Sequence, residues 1–234
     1  MEYCFNYCKP SIYITGDALP HFRGVLHLIV TFLIPIVFII IVCIQKLIQI
    51  WPLLIFLGGK LFSYGSSALL HTGIAKDKDT HLFLLFIDKV GVYISVFVTG
   101  IPFFVQSNVL LYYGISYLLL FGGVISLIYN YEFLRIIIFI IQLIFTISLI
   151  GYQLQWNVLW IIGTLLYITC FVIFLPCVIK TNTSNSREMF DVCLRDVCLW
   201  HKPGRNGCHE DFHTFLFFAD IVFFINAYIY LFRE

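Results

Sequence analysis

VLHLIVTFLIPIVFIIIVCI, residues 25–44, is interrupted only by His27, Thr31, Pro35 and Cys43 in an otherwise aliphatic and aromatic run. About 20 such residues, rising about 1.5 Å each, cover the ~30 Å of hydrocarbon in a bilayer. A helix apolar on every side has no face to offer water. Comparable runs recur at 50–71, 82–105, 108–130, 132–151, 156–179 and 212–232. The pattern predicts an all-α membrane protein, a bundle of seven transmembrane helices. It divides the chain into an N-terminal segment, 1–24, and a transmembrane domain, 25–234, with one long polar loop, 180–211, between spans six and seven. No repeat recurs at a fixed period, which counts against an inverted-repeat transporter.

Composition agrees. Hydrophobic residues make up 61% and charged residues 12% of the chain, against about 45–50% and about 25% in soluble domains. The formal net charge of +1 says nothing about nucleic acid, and with no basic cluster to suggest one, no nucleic-acid partner is expected. Residues 1–24 carry charges, Pro10 and Pro20 and no apolar core, so the first span is expected to act as an uncleaved targeting signal.

Orientation follows from Lys and Arg near the span ends. Lys9, Arg23, Lys76, Lys78, Arg135, Lys180, Arg187, Arg195, Lys202 and Arg205 fall on the side of the N-terminus. Lys46 and Arg233 fall on the other, while Lys60 and Lys89 lie within spans. The expected arrangement has the N-terminus and the 180–211 loop in the cytoplasm. The sequon Asn182-Thr183-Ser184 points the opposite way, since glycosylation needs a lumenal loop. A cytoplasmic loop is reducing, so Cys4, Cys8, Cys193, Cys198 and Cys208 read as free thiols, and Cys43, Cys170 and Cys177 as small residues of the spans.

Ligand-type residues gather at the ends of three spans. Span two closes with Ser67 and His71 at i and i+4, span three carries Asp88 about two turns inside, and span seven opens with His209 and His213 at i and i+4. Alternating span direction brings these ends to one side of the membrane. Intramembrane ionisable groups are costly and imply a role. An ion pair of Asp88 with Lys89 or Lys60 would leave the histidines unexplained. One Zn2+ held by His71, His209 and His213, with an open fourth position, accounts for all of them, and three protein ligands with an open site is the catalytic pattern. Such a metal activates water at neutral pH. Asp88 is then the candidate general base and Ser67 a group that orients water or a ligand.

Other polar residues receive plainer readings. Lys60, eleven residues before His71 and near the same helix face, either lines the space beside the site or snorkels and pairs with a carboxylate. His21, His27 and His81 are taken as interfacial residues, and Glu210 and Asp211 as first-turn residues favoured by the helix dipole. Trp51, Tyr112, Tyr113, Trp156 and Trp160 read as belt residues, and Pro35, Pro102 and Pro176 as kinks or helix ends.

The spacing Ser67-x-x-x-His71, then Asp88, then His209-x-x-x-His213 in the last span resembles the hemolysin III / progestin and adipoQ receptor family. FIDKVGVYISVFVTGIP, residues 86–102, resembles that family's third-span motif, and ALPHFRGVLH, residues 18–27, the segment leading into its bundle. The resemblance covers the chain from about residue 18. It implies a seven-helix bundle with zinc near the cytoplasmic face and kinship with membrane hydrolases of the alkaline ceramidase type. The 180–211 loop is longer and more polar than in compact bacterial members, and Lys60 is unusual there. Three functions stand side by side: a zinc-dependent hydrolase of a lipid amide or ester, a receptor for a lipid-like small molecule with structural zinc, and a pore-forming, membrane-lysing protein. The last would require homo-oligomerisation, since no span carries a polar stripe or charge ring of its own.

Overall fold

The computed structural model describes residues 21–45, 47–107, 110–155, 157–181 and 208–232. The predicted cytoplasmic segment up to residue 20, the sequon, His201, Cys4, Cys8, Cys193 and Cys198 lie outside them. Within the described residues the chain is all-helical: α1 (His21–Ile44), α2 (Leu47–His71), α3 (Lys78–Ser107), α4 (Leu110–Ile128), α5 (Glu132–Gln153), α6 (Val158–Thr181) and α7 (Cys208–Leu231). All except α6 contain a stretch long and apolar enough to cross a membrane, and α6 contains a shorter one, Val158–Cys170. The architecture is that of a multi-pass membrane protein.

Several helices start about one turn before the apolar runs. Helix α3 begins at Lys78 rather than 82 because Asp77 caps it: its carboxylate accepts the Thr80 backbone N–H and the Thr80 hydroxyl, each at 2.7 Å. Pro35, Pro52 and Pro102 lie inside helices rather than at their ends. In α4–α5 the chain turns at Asn130, whose φ of 55° is the left-handed conformation asparagine tolerates.

The chain divides at Thr146/Ile147, within α5, into two compact units. In the first, α2 packs on α1 and on α3, and α3 on α4. The α2–α3 contact is made by small residues. A Cβ on Gly59 would stand 2.4 Å from a Val98 methyl, and one on Gly91 would stand 3.1 Å from the Ser63 Cα. Gly59, Ser63 and Ser67 on α2, and Gly91, Ser95 and Thr99 on α3, each recur at i, i+4, i+8, the spacing that lets membrane helices approach closely. Tyr93 donates from its hydroxyl to the Arg135 carbonyl at 2.8 Å, and Gln142 donates to the Tyr93 carbonyl at 3.1 Å, tying α5 to α3.

In the second unit α6 packs on α7. Gly163 lets the Phe223 ring approach, and Asn157 starts α6 by accepting the Trp160 backbone N–H at 2.7 Å. Both units expose large apolar side chains and bury some polar ones among apolar neighbours. Lys60, Ser66, Ser67, Ser95, Thr99 and Gln142 are buried, while Phe32, Ile39, Leu118, Phe133, Ile144 and Leu165 are exposed. A water-soluble core has the reverse arrangement.

Candidate functional site

On α2, Lys60, Tyr64, Ser67 and His71 stand at i, i+4, i+7 and i+11, which is one helix face, and all four are buried. This stripe, about 16 Å along the helix axis at about 1.5 Å per residue, corrects the expectation that no span carries one; it is buried against neighbouring helices. At its inner end Lys60, 2% exposed, donates from Nζ to Ser95 Oγ at 2.7 Å and lies 5.4 Å from the Phe56 ring centroid. The ammonium therefore does not snorkel; it is buried between α2 and α3.

Three contacts fix the antiparallel register of α2 and α3: Gly91 against Ser63 and Ser66, Ser95 against Lys60, and Val98 against Gly59. The same register carries Asp88, nearly one turn before Gly91, to the level of Ser67. Asp88 is half-buried. Ser67 Oγ is buried and has no hydrogen-bond partner among the described residues. A buried hydroxyl left so costs about 1–3 kcal/mol, which a bound water or ligand group would offset. His71, one turn from Ser67, is buried where α2 ends, and Gly24 of α1 lies against its backbone: a Cβ there would stand 2.8 Å from the His71 carbonyl oxygen.

His27 is a residue that sequence reading misplaces. It is 2% exposed, turned toward α2 rather than outward; its ring centroid lies 5.5 Å from that of Tyr64 and 6.0 Å from that of His71. Helix α1 is apolar nearly all round, so periodicity does not tell which side meets α2. His81, also read as interfacial, is buried.

His209 and His213 lie in the first turns of α7, in the second unit; the His213 side chain is half-buried, and that of His209 is outside the described side chains, as is that of Cys208. Among the described residues no three His, Cys, Asp or Glu side chains form a group able to hold a metal ion. The residues of the first unit fit a zinc neighbourhood in kind: a buried imidazole, a carboxylate level with it to within a turn, and a buried hydroxyl with no hydrogen-bond partner among the described residues.

Sequence reading assigns Asp220 no role. It lies in the middle of α7, 6% exposed, and accepts a 2.6 Å hydrogen bond from the Tyr167 hydroxyl of α6. A lone carboxylate inside FFADIVFF was itself the signal. Cys43 and Cys170 are free thiols, Cys43 exposed and Cys170 buried. Compared with protein-family models, with curated proteins and with solved structures, the chain matches none.

Proposed function

We propose that this membrane protein is of the hemolysin III / progestin and adipoQ receptor type, that His71, His209 and His213 hold one zinc ion near the cytoplasmic face, and that it hydrolyses a lipid amide or ester. The observation that carries the reading is the α2–α3 register, which sets a half-buried carboxylate, Asp88, opposite the orphaned hydroxyl of Ser67, one turn from His71.

Zinc, when bound, supplies a Lewis acid that polarises a carbonyl and makes water more acidic. The chain's own groups do the rest. Asp88 receives the proton of the attacking water and returns it to the departing amine or alcohol. Ser67 orients that water by hydrogen bonding, which also satisfies its own buried oxygen. The neutral imidazoles of His71, His209 and His213 are donors suited to zinc in kind.

The test begins with the metal content of purified protein, wild type beside His209→Ala/His213→Ala, by elemental mass spectrometry. One zinc per chain, lost in the double variant, is expected. With that in hand, release of fatty acid from a ceramide-like amide or a lipid ester in mixed micelles is measured for wild type and Asp88→Ala. Asp88→Ala should keep its zinc and lose about 10²–10⁴-fold in turnover. Full turnover in Asp88→Ala would remove Asp88 as the base. Zinc retained without turnover on any lipid would favour a receptor with structural metal, and dye leakage from liposomes that survives chelation would favour a pore.

A further inference from the structure

We infer that His27 is a positioning residue of this site: its imidazole sets the ring of His71 and itself stays off the metal. The inference rests on the zinc reading given above.

His27 sits in the most apolar helix of the chain, beside Leu28 and Ile29, which are exposed on the outer surface. Its imidazole is turned the other way. Tyr64 and His71 are seven residues apart on one face of α2, about 10 Å along the axis at about 1.5 Å per residue. The His27 ring occupies the interval between theirs, tilted 42° to Tyr64 and 47° to His71. A ligating imidazole has two side-chain torsions to fix, and a wall of rings on one side removes most of that freedom before any metal arrives.

The wall is anchored on both sides of His27. One turn before it, Gly24 brings the α1 backbone against the His71 carbonyl. One turn after it, the Thr31 methyl lies 3.8 Å from where a Cβ on Gly65 of α2 would stand, while the Thr31 hydroxyl donates to the His27 carbonyl at 2.7 Å. The His27 backbone is therefore held beside α2 by close contacts one turn to either side of it.

The ring separation agrees with a wall: two imidazoles on one tetrahedral zinc, with nitrogen–zinc distances of about 2.0–2.1 Å, stand somewhat closer than the 6.0 Å between His27 and His71. A fourth imidazole would also close the position that a hydrolase leaves open.

The experiment uses the full-length protein in detergent-lipid micelles, stripped and titrated with Co2+ as a visible probe of the zinc site. Wild type, His27→Ala, His27→Phe and His71→Ala are compared for metal per chain, affinity by chelator competition, and cobalt absorption. His27→Ala should still take one metal per chain, bind it about 10–100-fold more weakly, and show an altered cobalt spectrum. His27→Phe, which restores a ring in the same space, should return affinity close to wild type. Unchanged affinity and spectrum in His27→Ala would overturn the inference. So would metal loss in both His27 variants as complete as in His71→Ala, which would make His27 a ligand. If His27→Ala does not fold, His27→Phe alone decides: wild-type affinity supports the positioning role, and loss of metal refutes it. Absence of metal from the wild type would take down the zinc reading and this inference together, whereas a loaded wild type with an indifferent His27→Ala takes down this inference alone.

Discussion

Lys60 shows what a single residue costs and what offsets it. A lysine at the centre of a membrane helix is unfavourable by about 2.5–3.5 kcal/mol on insertion scales. Here the 2.7 Å bond to Ser95 and the Phe56 ring face compensate. Replacing Ser95 by Ala should lower stability by about 1.5–3 kcal/mol, because it removes a hydrogen bond to a charged group. Lys60→Met should cost less or stabilise, since charge and desolvation penalty leave together. Thermal unfolding in detergent compares the two, and a larger loss in Lys60→Met than in Ser95→Ala would contradict this account. Counting along the helix put Lys60 on the His71 face. The Ser95 hydroxyl was not legible as its partner, because sequence distance offers Asp88 equally, and only the register of two helices brings Ser95 to it. The face of His27 was hidden for a related reason: its neighbours along α1 are uniformly apolar.

Between elements, the α2–α3 seam is what the polar stripe depends on. Gly58 and Gly59 are adjacent on α2 yet differ completely: a Cβ at Gly58 meets nothing within 4 Å, and one at Gly59 meets Val98 at 2.4 Å. Gly59→Ala should therefore destabilise by about 1–3 kcal/mol through overpacking. Gly58→Ala should be neutral or stabilising by up to about 1 kcal/mol from helix propensity. Unfolding midpoints of the pair in detergent test this, and equal effects would refute the close approach. At the start of α3, hydrogen bonds from the Thr80 backbone N–H and then its hydroxyl hold the Asp77 carboxyl below its ordinary value of 3.8. A carboxyl lowered on folding contributes stability above its unfolded pKa and loses it as pH falls through the lowered value. The cap should thus weaken below about pH 4. Unfolding followed from pH 6 down to pH 3 should show a fall that Asp77→Ala makes shallower. Helix existence was readable from apolar runs, but α1, α3 and α7 begin about four residues earlier than those runs. Hydropathy registers the hydrocarbon, whereas backbone hydrogen bonding continues through the polar first turn.

Each unit faces large apolar side chains outward, and the first also turns hydroxyls, Gln142 and Lys60 inward. That inversion was legible from composition, since the apolar residues outnumber what a core can absorb. The candidate residues were proposed from spacings on α2, α3 and α7, and of these Ser67 and His71 are buried on one face of α2. Which side chains touch was not, since contact depends on helix rotation that an apolar sequence leaves undetermined. The inward polar stripe also gives biosynthesis a clock. Helix α2, with Lys60 at its middle and serines along one face, is less apolar than α1 and is a poor membrane segment until α3 covers that face. Ser107 ends α3 36 residues after His71 ends α2, which is about 2–7 s of translation at ~5–20 residues per second. With α1 entering from the cytoplasmic side, a glycosylation acceptor placed just after α2 should be modified in a chain stopped there, unmodified in one continued through α3, and unmodified again in the shorter chain carrying Lys60→Leu. For those seconds the second helix waits at the insertion machinery for its partner, so the helical hairpin, rather than the single helix, is the unit that enters the bilayer.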